Sequence, residues 1–263
     1  MTVLERLATA GMCHGGFRIE CPRDFCSPEP SVLINSRMVR LVLFDVDGTL
    51  VHTGHAGTQA FARTFATEFN APNGTEKIKF AGRTDVNLVR EFFGLHGIPA
   101  TPENFGRFFE RYVFWLDRMV AQSHGRPCEG VLEFLDRLRT LPRPPLLGLL
   151  TGNIRLGAEI KLRRYQLWDV FETGAFADDN EDRNQIAVAA LKRGRRVLGK
   201  DLQPDEIVVI GDTPFDIRCG KFIGAKVLAV ATGGATLAEL KRHQPDWAVK
   251  DLTQVNASEI VQS

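Results

Sequence analysis

Acidic residues stand at the carboxyl ends of two short segments that have the composition of buried strands. Asp45 and Asp47 follow the run at 39–44, and Asp212 follows the run at 207–210. A carboxylate at the end of a buried strand is costly to desolvate unless a cation lies beside it. An ordinary turn explains one such acid, but not two that flank a single valine. We therefore predict that these carboxylates carry out metal-binding or acid–base chemistry.

A hydroxyl group and a glycine turn follow another apolar run, at 146–150. Thr151, Gly152 and Asn153 stand between this run and a predicted helix, so their hydroxyl and backbone amides suit an oxyanion such as phosphate. Thr and Asn are also common helix caps, and Asp216 at the start of a later helix has the same alternative explanation. Taken together, three strands that end in oxygen ligands predict a site for a hard cation, for which Mg²⁺ is the natural occupant.

These side chains are positioned by strands that alternate with helices. The predicted strands lie at 39–44, 146–150, 171–176, 207–210, 226–231 and 247–249, and the helices between them lie at 156–165, 184–193, 216–222 and 237–242. This alternation indicates an α/β fold with a three-layer, Rossmann-like core, in which helices cover both faces of a parallel sheet. Ligands of such sheets bind at the carboxyl ends of the strands, where the acids lie.

The interval between the first two strands is helical instead. Patterns of helical period lie at 57–69, 85–95, 103–120 and 131–141. The aromatic residues in the third of these helices are three and four positions apart, which predicts the core of a helical bundle rather than a base-stacking surface. We therefore predict an α-helical cap domain at 53–141, inserted into an α/β core that is formed by 38–52 and 142–263.

The segment at 1–37 differs from the rest of the chain. It holds three of the five cysteines and has no sustained periodicity. We predict that it is a poorly ordered N-terminal extension. A metal knuckle of Cys13, His14, Cys21 and Cys26 is the alternative, but this spacing fits no standard zinc pattern.

The composition excludes several classes of protein. The chain has 263 residues, a formal net charge of +1, 44% hydrophobic residues and 25% charged residues, which are values of a globular rather than a disordered protein. This charge balance provides no field that attracts nucleic acid or anionic membranes. No apolar run approaches the roughly 20 residues that span a bilayer, and there is no signal-peptide pattern. The odd number of cysteines favours a reducing compartment, so we expect a soluble, cytoplasmic protein of undetermined oligomeric state.

Three motifs together resemble those of the haloacid dehalogenase (HAD) superfamily. They are Asp45-Val46-Asp47-Gly48-Thr49, Thr151-Gly152-Asn153 and Gly211-Asp212-Thr213-Pro214-Phe215-Asp216, in the order and spacing of that superfamily. The resemblance covers about residues 39–252. Within the superfamily, the chain looks most like the phosphoglycolate-phosphatase-like hydrolases, which carry a helical cap after the first strand.

The resemblance implies a role for each acid. Asp45 is the nucleophile that forms an aspartyl phosphate, and Asp47 is the general acid and then the base for the attacking water. Mg²⁺ is held by Asp212, a carboxylate oxygen of Asp45 and the backbone carbonyl of Asp47, and Asp216 supports this site. The residues implied to bind the phosphoryl group are Thr151, Gly152, Asn153 and Arg183.

One of these residues departs from the superfamily's pattern, which usually has a lysine between the second and the last motif. Arg183 occupies the matching region here, and its guanidinium can bridge phosphate oxygens and Asp45. The alternative is a surface ion pair of Arg183 with Glu181 or Asp182. Lys192 is a less suitable substitute because it lies further along the predicted helix.

The cap supplies one candidate for substrate recognition. Arg83 lies in a turn before a cap helix and is a candidate contact for an anionic group of the substrate. A salt bridge of Arg83 with Asp85 or Glu91 is an equally supported alternative. The sequence itself does not identify the substrate.

We predict a Mg²⁺-dependent phosphomonoester hydrolase of a small phosphorylated metabolite, for which a phosphoglycolate-like substrate is one candidate. A phosphosugar mutase of the same superfamily and a non-catalytic phosphate-binding protein are the alternatives. Dehalogenation is disfavoured because the dehalogenases lack an acid at the position of Asp47. A phosphonate hydrolase is disfavoured because the cap lysines, Lys77 and Lys79, have no apolar surroundings that would favour a Schiff base.

Overall fold

The computed structural model describes residues 38–262 of the chain. The predicted extension at 1–37, including the alternative metal knuckle of Cys13, His14, Cys21 and Cys26, lies outside the described residues. Within the described part, no helix is both long and apolar enough to cross a membrane.

The described strands form a large sheet and a small one. They are β1 (Leu41–Phe44), β2 (Val51–His52), β3 (Arg126–Pro127), β4 (Leu146–Leu150), β5 (Thr173–Ala175), β6 (Ile207–Gly211), β7 (Lys226–Val230) and β8 (Trp247–Val249). The large sheet has the order β5-β4-β1-β6-β7-β8, and all of its pairings are parallel. The predicted parallel α/β core is confirmed. The strands β1, β4 and β6, which precede the predicted site residues, are neighbours.

Helices cover both faces of the large sheet. The described helices are α1 (Ala56–Glu68), α2 (Asp85–His96), α3 (Pro102–Gln122), α4 (Val131–Arg139), α5 (Arg155–Arg163), α6 (Arg183–Leu198), α7 (Pro214–Phe222), α8 (Leu237–Arg242) and α9 (Ala257–Gln262). In β1, Val42 and Phe44 pack in a cluster with α4, α5 and α9, whereas Leu41 and Leu43 pack with α6 and α7. Burial on both faces explains why this strand is an uninterrupted apolar run.

The helices α1, α2 and α3 form a separate aromatic core in the cap. Phe65 of α1 stacks on Phe92 of α2 with ring centroids 3.6 Å apart, and Phe108 of α3 packs against Phe65 in the same cluster. Phe108 and Tyr112 are buried, as the predicted bundle core requires, whereas Phe114 is exposed. The three helices thus bury their own apolar faces together, above the edge of the large sheet at which the site lies.

The two connections between the cap helices and the sheet pair with each other. In the small sheet, β2 and β3 are antiparallel, with Val51 opposite Pro127 and His52 opposite Arg126. Neither strand was predicted, because a ladder of two residues between segments so far apart in the chain leaves no periodic pattern. The ladder joins the two connections at the base of the cap.

The helix α4 packs with the sheet rather than with the cap helices. Its apolar side chains lie in the cluster that contains β1, and they are Val131, Phe134, Leu135 and Leu138. The predicted cap boundary at residue 141 included this helix. We therefore propose that the cap ends at β3, because the apolar stripe of α4 has its partners on the sheet.

Candidate active site

Neighbouring strands bring the predicted site residues to one edge of the sheet. Asp45 follows β1, Thr151 follows β4 and Asp212 follows β6, and all three are buried. They line a cavity of about 560 Å³ together with residues of the cap. The other predicted site residues that line this cavity are Asp47, Gly152, Asn153, Arg183 and Arg83. Asp216, which is fully buried, is not among the lining residues.

Arg183 lies between two buried carboxylates. Its Nη2 atom is 2.9 Å from Asp45 Oδ1 and also donates to Asp216. The alternative partners are engaged elsewhere, since Glu181 pairs with Arg90 and Asp182 accepts a hydrogen bond from the backbone of its own helix start. The alternative of a surface ion pair of Arg183 with Glu181 or Asp182 is therefore wrong. Lys192 is exposed on α6 and contributes nothing to this site.

Burial and like charges perturb the acids around Arg183. Burial raises the pKa of Asp45 to about 6, against the opposing effect of Arg183. Burial also raises the pKa of Asp212 well above its usual range, and repulsion from Asp216 and Asp45 adds to this effect. Burial by itself lowers the pKa of Arg183, but Asp216 and Asp45 outweigh it and raise that pKa well above its usual value. The site thus carries an excess of negative charge.

The residues at this site fit a divalent cation that prefers oxygen. Carboxylate oxygens of Asp45, Asp212 and Asp216 lie within 4.8 Å of one another. The carboxylate of Asp216 is already engaged, because one oxygen accepts from Arg183 and the other from the amide and the hydroxyl of Thr213, at 3.0 and 2.6 Å. Asp45 and Asp212 are therefore the better direct ligands. Their donor atoms are all oxygens, and the nearby cation Arg183 does not by itself neutralise all three buried carboxylates, so the site suits Mg²⁺.

Backbone conformation and close packing explain the glycine in the first motif. Gly48 has φ +81°, which is the left-handed region, and a β-carbon there would lie 2.7 Å from Asp212 Oδ2. The hydroxyl of Thr49 donates to the other oxygen of Asp212 at 3.1 Å. The turn after β1 therefore approaches the acid after β6 closely enough for both to serve one ion.

The second motif connects the sheet to the cap and to Asp47. The hydroxyl of Thr151 accepts from the amide and side chain of Asn153, at 3.3 and 2.8 Å. The side chain of Asn153 also donates to Asp47 Oδ2 at 2.8 Å. The carbonyl of Gly152 accepts from the amide of Asp85 at 2.7 Å. The Asn153 side chain is thus engaged with Asp47, and the amides of Thr151 and Asn153 donate within the protein. The amide of Gly152 is the backbone donor of the motif that suits a phosphoryl oxygen.

Lys161 is a site residue that was missed in the sequence. It lies on α5, is buried, and its Nζ atom is 2.6 Å from both Asp47 Oδ2 and Asn153 Oδ1. A signal was present, because Gly157 and Ala158 precede it by four and three positions and are also buried. Small residues at this spacing mark the helix face that packs closely, so a lysine on that face is exceptional.

The cap residue Arg83 is held by other cap residues. Its guanidinium pairs with Glu91, and its Nε atom donates to the side-chain oxygen of Asn87 at 3.0 Å. The predicted ion pair with Glu91 is present, whereas Asp85 accepts instead from the amide of Ile154 at 2.8 Å. Burial raises the pKa of Asp85 to about 6, although Lys161 and this hydrogen bond oppose the rise. Arg83 still lines the cavity.

Comparison with known proteins agrees with this geometry. Pyrophosphatase PpaX of Bacillus pumilus is 28% identical over 235 residues, which cover 85% of this chain and 98% of that protein. A hydrolase from Pseudomonas syringae has a solved structure with a TM-score of 0.64 at 22% identity, covering 82% of this chain and 94% of that one. A structure described as a predicted phosphoglycolate phosphatase, from Haemophilus somnus, has a TM-score of 0.64 at 18% identity, with coverage of 81% and 95%.

A family model places the chain among enzymes. The model for haloacid dehalogenase-like hydrolases matches residues 42–230, a span that contains all three motifs and the cap. The similar structures share the α/β fold, and the curated relatives are phosphatases of the pyrophosphatase type. On these grounds the chain is a hydrolase, and it belongs to the haloacid dehalogenase-like hydrolase family.

Proposed function

We propose that this chain is a Mg²⁺-dependent phosphomonoester hydrolase that acts on a small phosphorylated metabolite through an aspartyl phosphate on Asp45. One observation carries the proposal: Asp45 and Asp47 face the same cavity but have different partners. Asp45 contacts Arg183, and Asp47 contacts Asn153 and Lys161. Two acids in one cavity with separate surroundings suit two separate roles.

In the first step, a carboxylate oxygen of Asp45 attacks phosphorus. The bond from phosphorus to the leaving oxygen breaks as the bond to Asp45 forms, and Asp47 gives its proton to the leaving oxygen. Arg183 lines the cavity and already contacts Asp45, so we assign its guanidinium as a donor to a phosphoryl oxygen. The backbone amide of Gly152, which also lines the cavity, provides a further donor.

In the second step, water attacks phosphorus. Asp47, now ionised, takes a proton from that water while the bond between phosphorus and Asp45 breaks. Inorganic phosphate leaves, and both carboxyl groups return to their starting states. Asp47 is suited to both steps because its side chain is 44% exposed to the cavity, unlike that of Asp45.

We assign the Mg²⁺ site to Asp45, Asp212 and the backbone carbonyl of Asp47, with Asp216 in support. When bound, the ion supplies charge neutralisation to the transferring phosphoryl group. Asp216 acts through its neighbours, since its two oxygens hold Arg183 and the start of α7. The excess of buried negative charge at the site is the physical reason to expect the ion there.

The substrate is proposed to be a small metabolite in the cytoplasm. The cavity has a volume of about 560 Å³ and is closed on one side by α1, α2 and α3, which leaves room for a small molecule. Arg83 is held by Glu91 and Asn87, so we do not assign it a direct contact with the substrate. The relatives include a pyrophosphatase, and one similar structure is described as a predicted phosphoglycolate phosphatase, so pyrophosphate and phosphoglycolate are both candidate substrates.

The test is phosphate release from a panel that contains phosphoglycolate, pyrophosphate, sugar phosphates, nucleoside monophosphates and p-nitrophenyl phosphate. It is measured with Mg²⁺, with EDTA, with the Asp45→Asn variant, and with Asp201→Asn as an exposed-acid control far from the motifs. We expect Mg²⁺-dependent release that only Asp45→Asn abolishes. Release that survives Asp45→Asn would refute the mechanism. Interconversion of sugar phosphates without release would indicate a mutase, and binding without turnover would indicate a phosphate-binding protein.

A further inference from the structure

Lys161 is an unusual residue for the position that it occupies. Its side chain is 5% exposed, and the acid with which it pairs, Asp47, is 44% exposed. Burial of an ammonium group is costly, and a half-exposed carboxylate recovers only part of that cost. A methionine would fill the same space on α5 without this cost, so stability alone does not explain a lysine here.

The hydrogen bonds around Lys161 form a closed triangle. Lys161 donates to Asp47 Oδ2 and Asn153 Oδ1, both at 2.6 Å, and Asn153 donates to Asp47 Oδ2 at 2.8 Å. Both of these hydrogen bonds to the Asp47 carboxylate reach Oδ2, and Oδ1 accepts none from the described residues. The triangle therefore fixes the rotation of this carboxylate and leaves one defined oxygen free.

The triangle lies where the cap meets the sheet. A β-carbon at Gly57 of α1 would lie 3.4 Å from Lys161 Nζ, an ordinary contact distance, so the ammonium group lies against the first cap helix. Gly57, Lys161 and Asp47 all line the cavity. The triangle thus forms part of the wall of the cavity in which we propose that the substrate binds.

We propose that Lys161 is a positioning residue for Asp47. With Asn153 it holds Oδ2, so that Oδ1 is the oxygen that presents its proton to the leaving group. This inference rests on the proposed acid role of Asp47. It adds a buried lysine from α5 to the acid–base machinery, separate from the Arg183 contact with the nucleophile.

The test compares two kinds of leaving group. p-Nitrophenolate is stable as an anion and needs little proton donation, whereas the alkoxide of an alkyl phosphomonoester needs a proton from Asp47. kcat/KM is measured for p-nitrophenyl phosphate and for the alkyl phosphomonoester with the highest kcat/KM in the panel. The ratio kcat/KM reports only on the steps up to departure of the leaving group, so the later hydrolysis of the aspartyl phosphate does not affect this ratio.

The variants are Asp47→Asn, Lys161→Met, Lys161→Gln and Lys161→Arg, with Lys221→Met as the matched control. Lys221 is exposed on α7 and donates to the backbone carbonyl of His243. We expect Asp47→Asn to lower kcat/KM for the alkyl ester by about 100-fold or more, and to lower kcat/KM for the aryl ester much less. Lys161→Met and Lys161→Gln should lower the alkyl value by about 10- to 100-fold and the aryl value by less than about 3-fold. Lys161→Arg should restore part of the loss.

Thermal unfolding separates positioning from a structural role. Lys161→Met should unfold at the same temperature as the parent or at a higher one. The inference would be overturned if a folded Lys161 variant lost kcat/KM equally for both esters, or lost it for neither. It would also be overturned if the activity fell in proportion to a lower Tm. If Asp47→Asn discriminates between the esters and the Lys161 variants do not, only the inference fails. If Asp47→Asn itself does not discriminate, the proposed acid role fails, and the inference fails with it.

Discussion

Removal of Arg183 is the perturbation whose effect on stability can be worked out most directly. Its Nη2 atom is 2.9 Å from Asp45 Oδ1, and it also contacts Asp216. At an effective dielectric constant of about 20, unit charges at this distance attract each other by about 6 kcal/mol before desolvation is counted. Loss of one partner from a buried ion pair has a measured cost of about 3–5 kcal/mol, because the remaining charge stays buried. We expect this loss for Arg183→Met, which corresponds to a fall in Tm of about 6–20 °C.

The pH dependence of this loss follows from the pKa shifts. The pKa of Asp45 is already raised to about 6 by burial, and Arg183 opposes that rise. Without Arg183 the carboxyl groups take up protons more readily, and protonation relieves their repulsion. The deficit of Arg183→Met should therefore be large at pH 8 and should shrink as the pH falls towards 5.

The assay is urea unfolding at pH 8 and pH 5 in EDTA, so that no divalent ion offsets the missing charge. Arg193→Met is the matched control on the same helix, because Arg193 is more exposed than Arg183 and its partner Asp179 is only partly buried, so its loss should cost less than that of Arg183. Adding Asp216→Asn to Arg183→Met should recover part of the stability. A deficit below about 1 kcal/mol at pH 8, or a deficit that does not change with pH, would refute the reasoning.

Two further predictions concern the contact between cap and sheet. The pKa of Asp85 is raised to about 6 from 3.8, so its stabilising contribution is complete below pH 3.8 and is lost as the pH rises through 6. The free energy of unfolding of the parent, measured relative to that of Asp85→Asn, should therefore fall by about 3 kcal/mol between pH 4 and pH 7. A difference in Tm between the two proteins that stays constant over that range would contradict this. In Gly152→Ala, the new β-carbon would overlap the backbone of Arg83, so the cap must move away from the sheet. We expect kcat/KM to fall at least about 10-fold, whereas Gly106→Ala, whose β-carbon would meet nothing within 4 Å, should leave it unchanged.

The acids of the site could be predicted because each lies at a locally recognisable position. Asp45 and Asp212 follow apolar runs whose length and composition indicate buried strands, and parallel strands bring their carboxyl ends to one edge. The same reasoning placed Thr151 beside them, and all three lie around one cavity. Arg183 was identified from its place between the second and the last motif, and it does contact Asp45.

Other features depend on parts of the chain that have no local relation to each other. The β2–β3 ladder joins segments on either side of the cap, and only the folded chain brings them together. The apolar stripe of α4 can be seen in the sequence, but periodicity does not indicate whether the stripe faces the cap or the sheet. Its partners on the sheet decide that.

The residue types and their order along the chain indicate which chemistry is available: carboxylates, a hydroxyl and glycine turns at the ends of parallel strands. Which cation faces which acid depends on how the chain folds. Arg183 faces Asp45, and Lys161 faces Asp47, although each cation lies more than a hundred residues from its acid. Burial and ion pairing arise from contacts between residues that are far apart in the chain, so a local pattern does not show them. From its own helix alone, a lysine is expected to be exposed to water, and only the packing of the helix against sheet and cap buries it.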